Sequence, residues 1–225
     1  MKSRFNSSPD ASGTGTGLGY VDHIREGTEE QEWFEFRVEP HARTNGDMRI
    51  AFSGTHRTGK TTLVAALAEL LPAYEVVDEP YHQLEEEGHE FAERPSIEDF
   101  EVQLERSLDR LVDSAENQLF DRCPVDLLAY LLTHRDADGF DVDDWLPRVE
   151  VAMQRLDLVV FVPVENPDRV SVTPEERRLR HRVDEELRSI LLENRWELCV
   201  EVMEVTGPVA ARARQVLAQI ERRRP

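Results

Sequence analysis

The residues with the clearest chemical potential form a glycine-containing loop. Residues 54–61 read Gly-Thr-His-Arg-Thr-Gly-Lys-Thr and fill every fixed position of the pattern G-x-x-x-x-G-K-[ST]. Glycine can adopt backbone conformations that are closed to residues with a Cβ atom, so successive amide N–H groups can point at one anion. Lys60 would reach the β- and γ-phosphates of a nucleotide, and the Thr61 hydroxyl would bind Mg²⁺.

The segments on both sides of this loop support the same interpretation. Residues 49–53 are typical of a short buried strand, and residues 62–71 are typical of a helix that Pro72 ends. A helix starting near Lys60 adds the positive end of its dipole to the phosphate site. A chance lysine in a glycine turn would not explain both flanks, so we predict a P-loop (residues 54–61) that binds ATP. The residues predicted to bind the nucleotide are Gly54, Thr55, His56, Arg57, Thr58, Gly59, Lys60, Thr61 and Thr62.

The rest of the chain alternates between short apolar strands and amphipathic helices. Ser96 and Asp99 have the spacing of a helix capping box, and so do Thr173 and Glu176. Alternating strands and helices predict an α/β fold, a three-layer P-loop NTPase fold with a mainly parallel five-stranded sheet. The later strands are predicted at residues 74–78, 118–122, 158–162 and 199–205, and the later helices begin at Ser96, Pro124, Val142 (residues 142–156, with a candidate break at Pro147), Thr173 and after Pro208.

Two of the predicted strands end in charged residues that could take part in phosphoryl transfer. Asp78 and Glu79 follow the second strand, and a carboxylate there could take the proton from an attacking hydroxyl or position Mg²⁺ through water. Asp121 and Arg122 end the third strand, where Asp121 would hold the Mg²⁺ shell and Arg122 would bind substrate or phosphate. The alternatives are a solvated pair of acids and a strand-end salt bridge.

A second cluster of positive charge lies on the helix that Thr173 opens, at Arg177, Arg178, Arg180 and Arg182. An arginine swung over the γ-phosphate would neutralise charge in the transition state. The alternative is a surface face whose arginines pair with glutamates of the same helix. Both interpretations stay open from the sequence.

The composition limits the partners that this chain can have. Its formal net charge is −19 and its isoelectric point is about 4.8, which argues against general binding to nucleic acids or anionic membranes. Cys123 and Cys199 lie far apart and in no metal-ligand spacing, so a reducing, cytoplasmic setting is the simplest interpretation. We expect Cys123 to be a packed thiol. The sequence does not indicate an oligomeric state.

The first 47 residues differ in composition from the rest. Glycine and threonine alternate near residue 15, and we predict a flexible N-terminal extension over residues 1–47 with one candidate docked strand at residues 32–38. Lys2 and Arg4 are not followed by an apolar run, so we expect no signal peptide. We also see no apolar stretch long enough for a membrane span. Residues 48–225 are the predicted catalytic domain, with a lid helix near residues 173–194.

These features together resemble the P-loop kinases of the nucleoside and nucleotide group. That group includes deoxynucleoside kinases, thymidylate kinase and the nicotinamide-riboside-kinase-like ATPase domains of AAA type. The resemblance implies that Glu79 is the general base, that Arg122 contacts substrate or phosphate, and that Arg177 and Arg178 are lid arginines. It rests on the P-loop, on Glu79-Pro80, on Asp121-Arg122 followed by Pro124, Asp126 and Tyr130, and on the arginine-rich helix in the position of the lid.

The sequence therefore predicts an ATP- and Mg²⁺-dependent phosphotransferase that acts on a nucleoside, a nucleotide or a related ribosyl compound. The alternative is a P-loop ATPase that acts as a nucleotide-dependent switch and presents a surface to a protein partner. The two differ in one structural feature, because a kinase needs an acceptor pocket beside the γ-phosphate and a switch does not. We expect such a pocket to be walled by Glu79, Arg122 and the helix that starts at Ser96.

Overall fold

The chain alternates between strands and helices in the order that the sequence predicts. The computed structural model describes residues 48–223 except Glu93 and Arg169, so the predicted extension and its candidate strand at residues 32–38 lie outside the described residues. The elements are β1 (Arg49–Ser53), α1 (Lys60–Leu70), β2 (Glu75–Val77), α2 (Pro80–Glu86), α3 (Ile97–Val112), β3 (Gln118–Asp121), α4 (Pro124–Thr133), α5 (Leu146–Met153), β4 (Leu158–Phe161), α6 (Pro174–Leu191), β5 (Val202–Glu204) and α7 (Val209–Arg223).

The strands form one five-stranded sheet in the order β2-β3-β1-β4-β5, and every pair is parallel. Apolar residues of α3, α4, α5 and α6 pack on one face of the sheet, and those of α1 and α7 pack on the other. The predicted three-layer α/β fold is confirmed. Because the carboxyl ends of parallel strands meet at one edge, the residues that follow β1, β2 and β3 are brought together there.

The central strand β1 and its neighbour β4 are buried along their whole length. All five residues of β1 and all four of β4 are buried, because helices cover both faces of the sheet. Burial of a Leu, Ile, Val or Phe side chain contributes about 1.5–3 kcal/mol, so these two strands anchor the P-loop that follows β1. The edge strands β2 and β5 are shorter than predicted and remain partly exposed.

The predicted N-terminal caps agree with the structure better than the predicted helix lengths do. The Ser96 hydroxyl accepts from Asp99 N at 3.2 Å, and the Asp99 carboxylate accepts from Ser96 N at 2.9 Å. The Thr173 box is also formed. The predicted helix over residues 142–156 is wrong in extent, because it begins at Leu146 and Pro147 lies in its first turn, where proline is tolerated. No helix of the described residues has the length and hydrophobicity to cross a membrane.

Candidate active site

The P-loop closes tightly over the end of β1. Gly54 has a φ of 152°, and a Cβ atom there would lie 2.3 Å from the Val162 carbonyl oxygen at the end of β4. Gly59 has a φ of 88°, in the left-handed region that favours glycine, and Lys60 then starts α1. The buried Asp126 of α4 accepts a hydrogen bond from Gly54 N at 2.8 Å. These constraints fix the loop between β4 and α4.

The loop lysine is buried. Lys60 is 4 % exposed, and its Nζ donates to the Thr55 carbonyl oxygen at 3.0 Å. Burial, reinforced by the nearby Arg122, lowers the pKa of Lys60 to about 8 and outweighs the opposite effect of Asp126, Asp121 and Glu79. The ammonium group is therefore charged at neutral pH, and its burial carries a desolvation cost.

The predicted magnesium residues contact each other. The Thr61 hydroxyl hydrogen-bonds to the Asp121 carboxylate at the end of β3. Asp121 is buried, and among the described residues its Oδ1 has no hydrogen-bond partner. Burial raises the pKa of Asp121 above its usual range. A buried carboxylate oxygen without a partner beside a threonine hydroxyl is a hard donor set of the kind that Mg²⁺ prefers.

The two acidic residues after β2, Asp78 and Glu79, lie in different environments. Glu79 forms a short ion pair with Arg122 Nε, and Arg122 is buried with a φ of 88°. Burial opposes ionisation of Glu79, but Arg122 and Lys60 outweigh it and hold the Glu79 pKa below its usual value. Asp78 is exposed and lines a separate surface depression with Arg110. Of the two carboxylates, Glu79 is the one beside the P-loop lysine.

Two arginines reach the P-loop backbone: Arg180, from the predicted arginine cluster, and Arg212, which the sequence did not single out. Arg180 of α6 forms a short hydrogen bond to the His56 carbonyl oxygen and pairs with Asp168 at 3.3 Å. Arg212 of α7 donates to the Thr58 carbonyl oxygen at 2.7 Å. Both are buried. Each occupies a core-facing position of an amphipathic helix, and a charged residue in such a position was the signal that could have found them.

The predicted lid arginines lie farther from the loop. Arg177 donates to the carbonyl oxygens of Asp168 and Val170 at 3.4 Å, and Arg178 lines a large cleft. At the start of the same helix, Glu176 pairs with Arg57 of the P-loop at 3.8 Å. The N-terminal end of α6 therefore lies against the P-loop.

The large cleft opens between α3, α4 and α6 and has a volume of about 900 Å³. Phe100 and Tyr130 contribute stacked aromatic rings with centroids 5.2 Å apart. Tyr130 also contacts the P-loop through its hydroxyl, which places the cleft beside the loop. The helix that follows Ser96 lines the cleft as predicted, but Glu79 and Arg122 do not, because the Tyr130 ring stands at the cleft wall with the Arg122 guanidinium 5.4 Å from its centroid. Arginines and glutamates of α6 form the opposite wall, at Arg177, Arg178, Arg182, Glu175, Glu176 and Glu185.

A smaller cavity of about 260 Å³ lies on the other side of the P-loop. Thr58 and Gly59 contribute to it, together with Gly207 and Pro208 from the turn after β5. Arg212 closes one side, where its second nitrogen pairs with Glu165 at 2.9 Å. The position of this cavity between the P-loop and the β5 turn suits the base of a nucleotide whose phosphates lie on the loop.

The sequence was compared with known families and with solved structures. A family model described as an AAA domain matches residues 49–212. The chain belongs to this AAA domain family. No curated protein matches its sequence.

Solved structures similar to this AAA domain chain include two nucleotide-related kinases. A deoxyadenosine kinase from M. mycoides has a TM-score of 0.54 and 16% identity, with 78% of this chain and 99% of that chain covered. A thymidylate kinase from Candida albicans has a TM-score of 0.55 and 16% identity, with 80% and 93% covered. At this identity the likeness establishes the fold, which is that of the P-loop nucleoside and nucleotide kinases.

Proposed function

We propose that this protein is an ATP- and Mg²⁺-dependent phosphotransferase that acts on a nucleoside, a nucleotide or a related ribosyl compound. The observation that carries the proposal is the cleft of about 900 Å³ beside the P-loop, with stacked aromatic rings on one side and arginines on the other. A phosphate acceptor needs such a space, and a nucleotide-dependent switch does not. The kinases with the same fold support this choice by analogy.

The donor side of the proposed site is formed by the P-loop and the small cavity. The loop amides would hold the phosphates, and Lys60 would exchange its contact with the Thr55 carbonyl for a contact with phosphate oxygens. The base would occupy the cavity beside Gly207 and Pro208. Asp168 and Arg180 line the same cavity, so their buried ion pair lies beside the bound nucleotide.

The residues present fit a magnesium ion. Thr61 and Asp121 would hold it, since the free Oδ1 of Asp121 is buried beside the Thr61 hydroxyl. When bound, the ion would neutralise charge on the phosphates. Asp121 keeps its own role of orienting the Thr61 hydroxyl at the first turn of α1.

On the acceptor side, Glu79 is the candidate general base. Its pKa lies below the usual value, so the carboxylate is ionised at neutral pH and can accept a proton. An acceptor hydroxyl in the cleft would lose its proton to Glu79 as its oxygen bonds to the γ-phosphorus. The bond from that phosphorus to the bridging oxygen of ADP breaks in the same step. Arg122 holds Glu79 in place and would contact the acceptor or the transferred phosphate.

The lid arginines would neutralise charge on the transferred group. Arg177 and Arg178 line the cleft and would turn toward the γ-phosphate, for which Arg177 would give up its contacts with the Asp168 and Val170 carbonyls, whereas Arg180 already contacts the P-loop. Water exclusion would follow from closure of α6 over the reacting groups.

The test is ATP turnover in Mg²⁺ with a panel of nucleosides, nucleoside monophosphates and nicotinamide riboside. Phosphorylation of one acceptor, with no activity in Lys60→Ala, supports the proposal and identifies the substrate. Glu79→Gln should lower turnover by about 10²-fold or more while leaving nucleotide affinity intact. Glu79→Gln activity at the wild-type rate removes the base assignment. ATP binding without an active acceptor favours the switch instead.

A further inference from the structure

One tyrosine hydroxyl connects the cleft to the P-loop. Tyr130 lies on α4 and is 6 % exposed, and its hydroxyl oxygen is 2.8 Å from His56 N, 2.9 Å from His56 Nδ1 and 3.2 Å from Thr55 Oγ1. Three polar atoms of two successive P-loop residues thus converge on a single side chain. Among the described residues outside the P-loop, no other side chain makes three hydrogen-bonding contacts to the loop.

The hydrogens of this network can be placed from donor chemistry. The backbone N–H of His56 can only donate, so the Tyr130 oxygen accepts from it. The Tyr130 proton is then available for His56 Nδ1, which can accept when the ring is neutral. Burial and the nearby Arg180 lower the pKa of His56 to about 4, so the ring is neutral at physiological pH. The His56 N–H and the Tyr130 O–H therefore each have an acceptor.

The ring of the same tyrosine faces the cleft. Phe100 stacks on it with an interplanar angle of 9°, and Phe100 is only partly buried because it lines the cleft. An acceptor that enters the cleft would therefore contact an aromatic pair whose second member is bonded to the P-loop. On the opposite side of the same P-loop residue, Arg180 of α6 holds the His56 carbonyl.

We propose that Tyr130 is a positioning residue that transmits the packing of the cleft to the phosphate-binding loop. The aromatic pair holds the Tyr130 ring, and the hydroxyl fixes the first half of the P-loop at His56. A change at Phe100 should therefore alter phosphate binding, although Phe100 is not part of the P-loop. The inference rests on the proposed nucleotide binding at the P-loop, and not on the identity of the acceptor.

The experiment measures the affinity of the full chain for Mg²⁺ with the non-hydrolysable analogue AMPPNP by isothermal titration calorimetry. Tyr130→Phe keeps the ring and removes the hydroxyl, which leaves the His56 N–H without its partner. We expect its affinity to fall by about tenfold. Phe100→Leu should weaken binding by about threefold when Tyr130 is present and should have no further effect in the Tyr130→Phe background.

A matched control separates positioning from stability. Tyr74 is a buried tyrosine beyond the C-terminal end of α1, in the other core cluster, so Tyr74→Phe should change the melting temperature and leave AMPPNP affinity unchanged. Unchanged affinity in Tyr130→Phe, or additive effects of the two cleft variants, would overturn the proposal. Absence of AMPPNP binding by the wild type would overturn nucleotide binding itself. Failure of every acceptor in the turnover panel would count only against the kinase assignment.

Discussion

Replacement of the P-loop lysine should stabilise the protein while it abolishes nucleotide binding. Lys60 is buried and charged, and burial lowers its pKa from 10.5 to about 8. The folded state therefore holds the Lys60 proton less tightly than the unfolded state. Lys60→Met keeps an unbranched side chain of similar length and removes the charge.

The size of the effect follows from the shift in pKa. Each pKa unit corresponds to about 1.4 kcal/mol, so a charged Lys60 costs roughly 3 kcal/mol of folding free energy at neutral pH. The substitution leaves no unpaired acceptor, because the Thr55 carbonyl also accepts from the Thr58 hydroxyl at 3.0 Å. For a domain of this size, a gain of about 2–3 kcal/mol raises the melting temperature by roughly 4–10 °C.

The stability difference between Lys60→Met and the wild type should also depend on pH, which tests the direction of the effect independently. Between pH 8 and 10.5 the unfolded state binds more protons at Lys60 than the folded state, so wild-type stability gains relative to Lys60→Met as pH rises through that window. Thermal unfolding of both proteins without nucleotide, at pH 7 and at pH values up to about 10, measures the difference. The advantage of the variant should be full at pH 7 and should shrink steadily above pH 8.

A single outcome contradicts this reasoning. If Lys60→Met melts at or below the wild-type temperature at pH 7, burial of the Lys60 charge does not destabilise the folded protein. The variant should in any case lose Mg²⁺·AMPPNP binding, which verifies that the substituted residue is the phosphate-binding lysine.

Three further predictions concern other parts of the site. Gly54→Ala should cost about 2–4 kcal/mol of unfolding free energy, because its Cβ would lie 2.3 Å from the Val162 oxygen. Gly88→Ala, at a φ of 92° with open space around it, should cost only about 1–2 kcal/mol. Urea titration of both variants measures the loss of unfolding free energy, and equal losses in the two variants would contradict the steric account. Asp121→Asn should reduce the Mg²⁺-dependent part of AMPPNP affinity by at least about tenfold. Since the pKa of Asp121 is raised, that part should also weaken in the wild type as the solution is acidified from neutral pH, and calorimetry showing a flat profile would argue against Asp121. Arg180→Gln should weaken AMPPNP binding by about tenfold, because a buried donor to the P-loop is lost. Arg195→Gln, which removes an exposed ion pair with Glu186, should not change it.

The fold could be predicted from the sequence because each of its signals is local. The fixed positions of the P-loop, the continuous apolar run of β4 and the two capping boxes each depend on residues close in the chain. The parallel pairing of β1 with β3, in contrast, joins segments that lie far apart in the sequence. The ends of the edge strands β2 and β5 were harder to predict, because each of them pairs with a neighbouring strand on one side alone.

The long-range part of the site could not be found in the same way. Arg180 and Arg212 are separated from their P-loop partners by 124 and 154 residues, and no spacing rule connects positions that far apart. Phe100 packs against the core on an amphipathic helix, and helical periodicity alone does not reveal that it also lines the cleft. The roles predicted for Glu79, Arg122, Arg177 and Arg178 remain predictions, although the structure places Glu79 and Arg122 in direct contact.

The contact of Arg212 with the P-loop has a consequence for when the loop of a newly synthesised protein is fully supported. The P-loop is synthesised before α7, whose Arg212 lies 154 residues after Thr58 and holds the Thr58 carbonyl. A chain truncated before α7 would carry a P-loop without this support for its backbone. With nucleotide binding as proposed, ATP would stabilise chains that include α7, and products truncated before α7 would stay open to proteases.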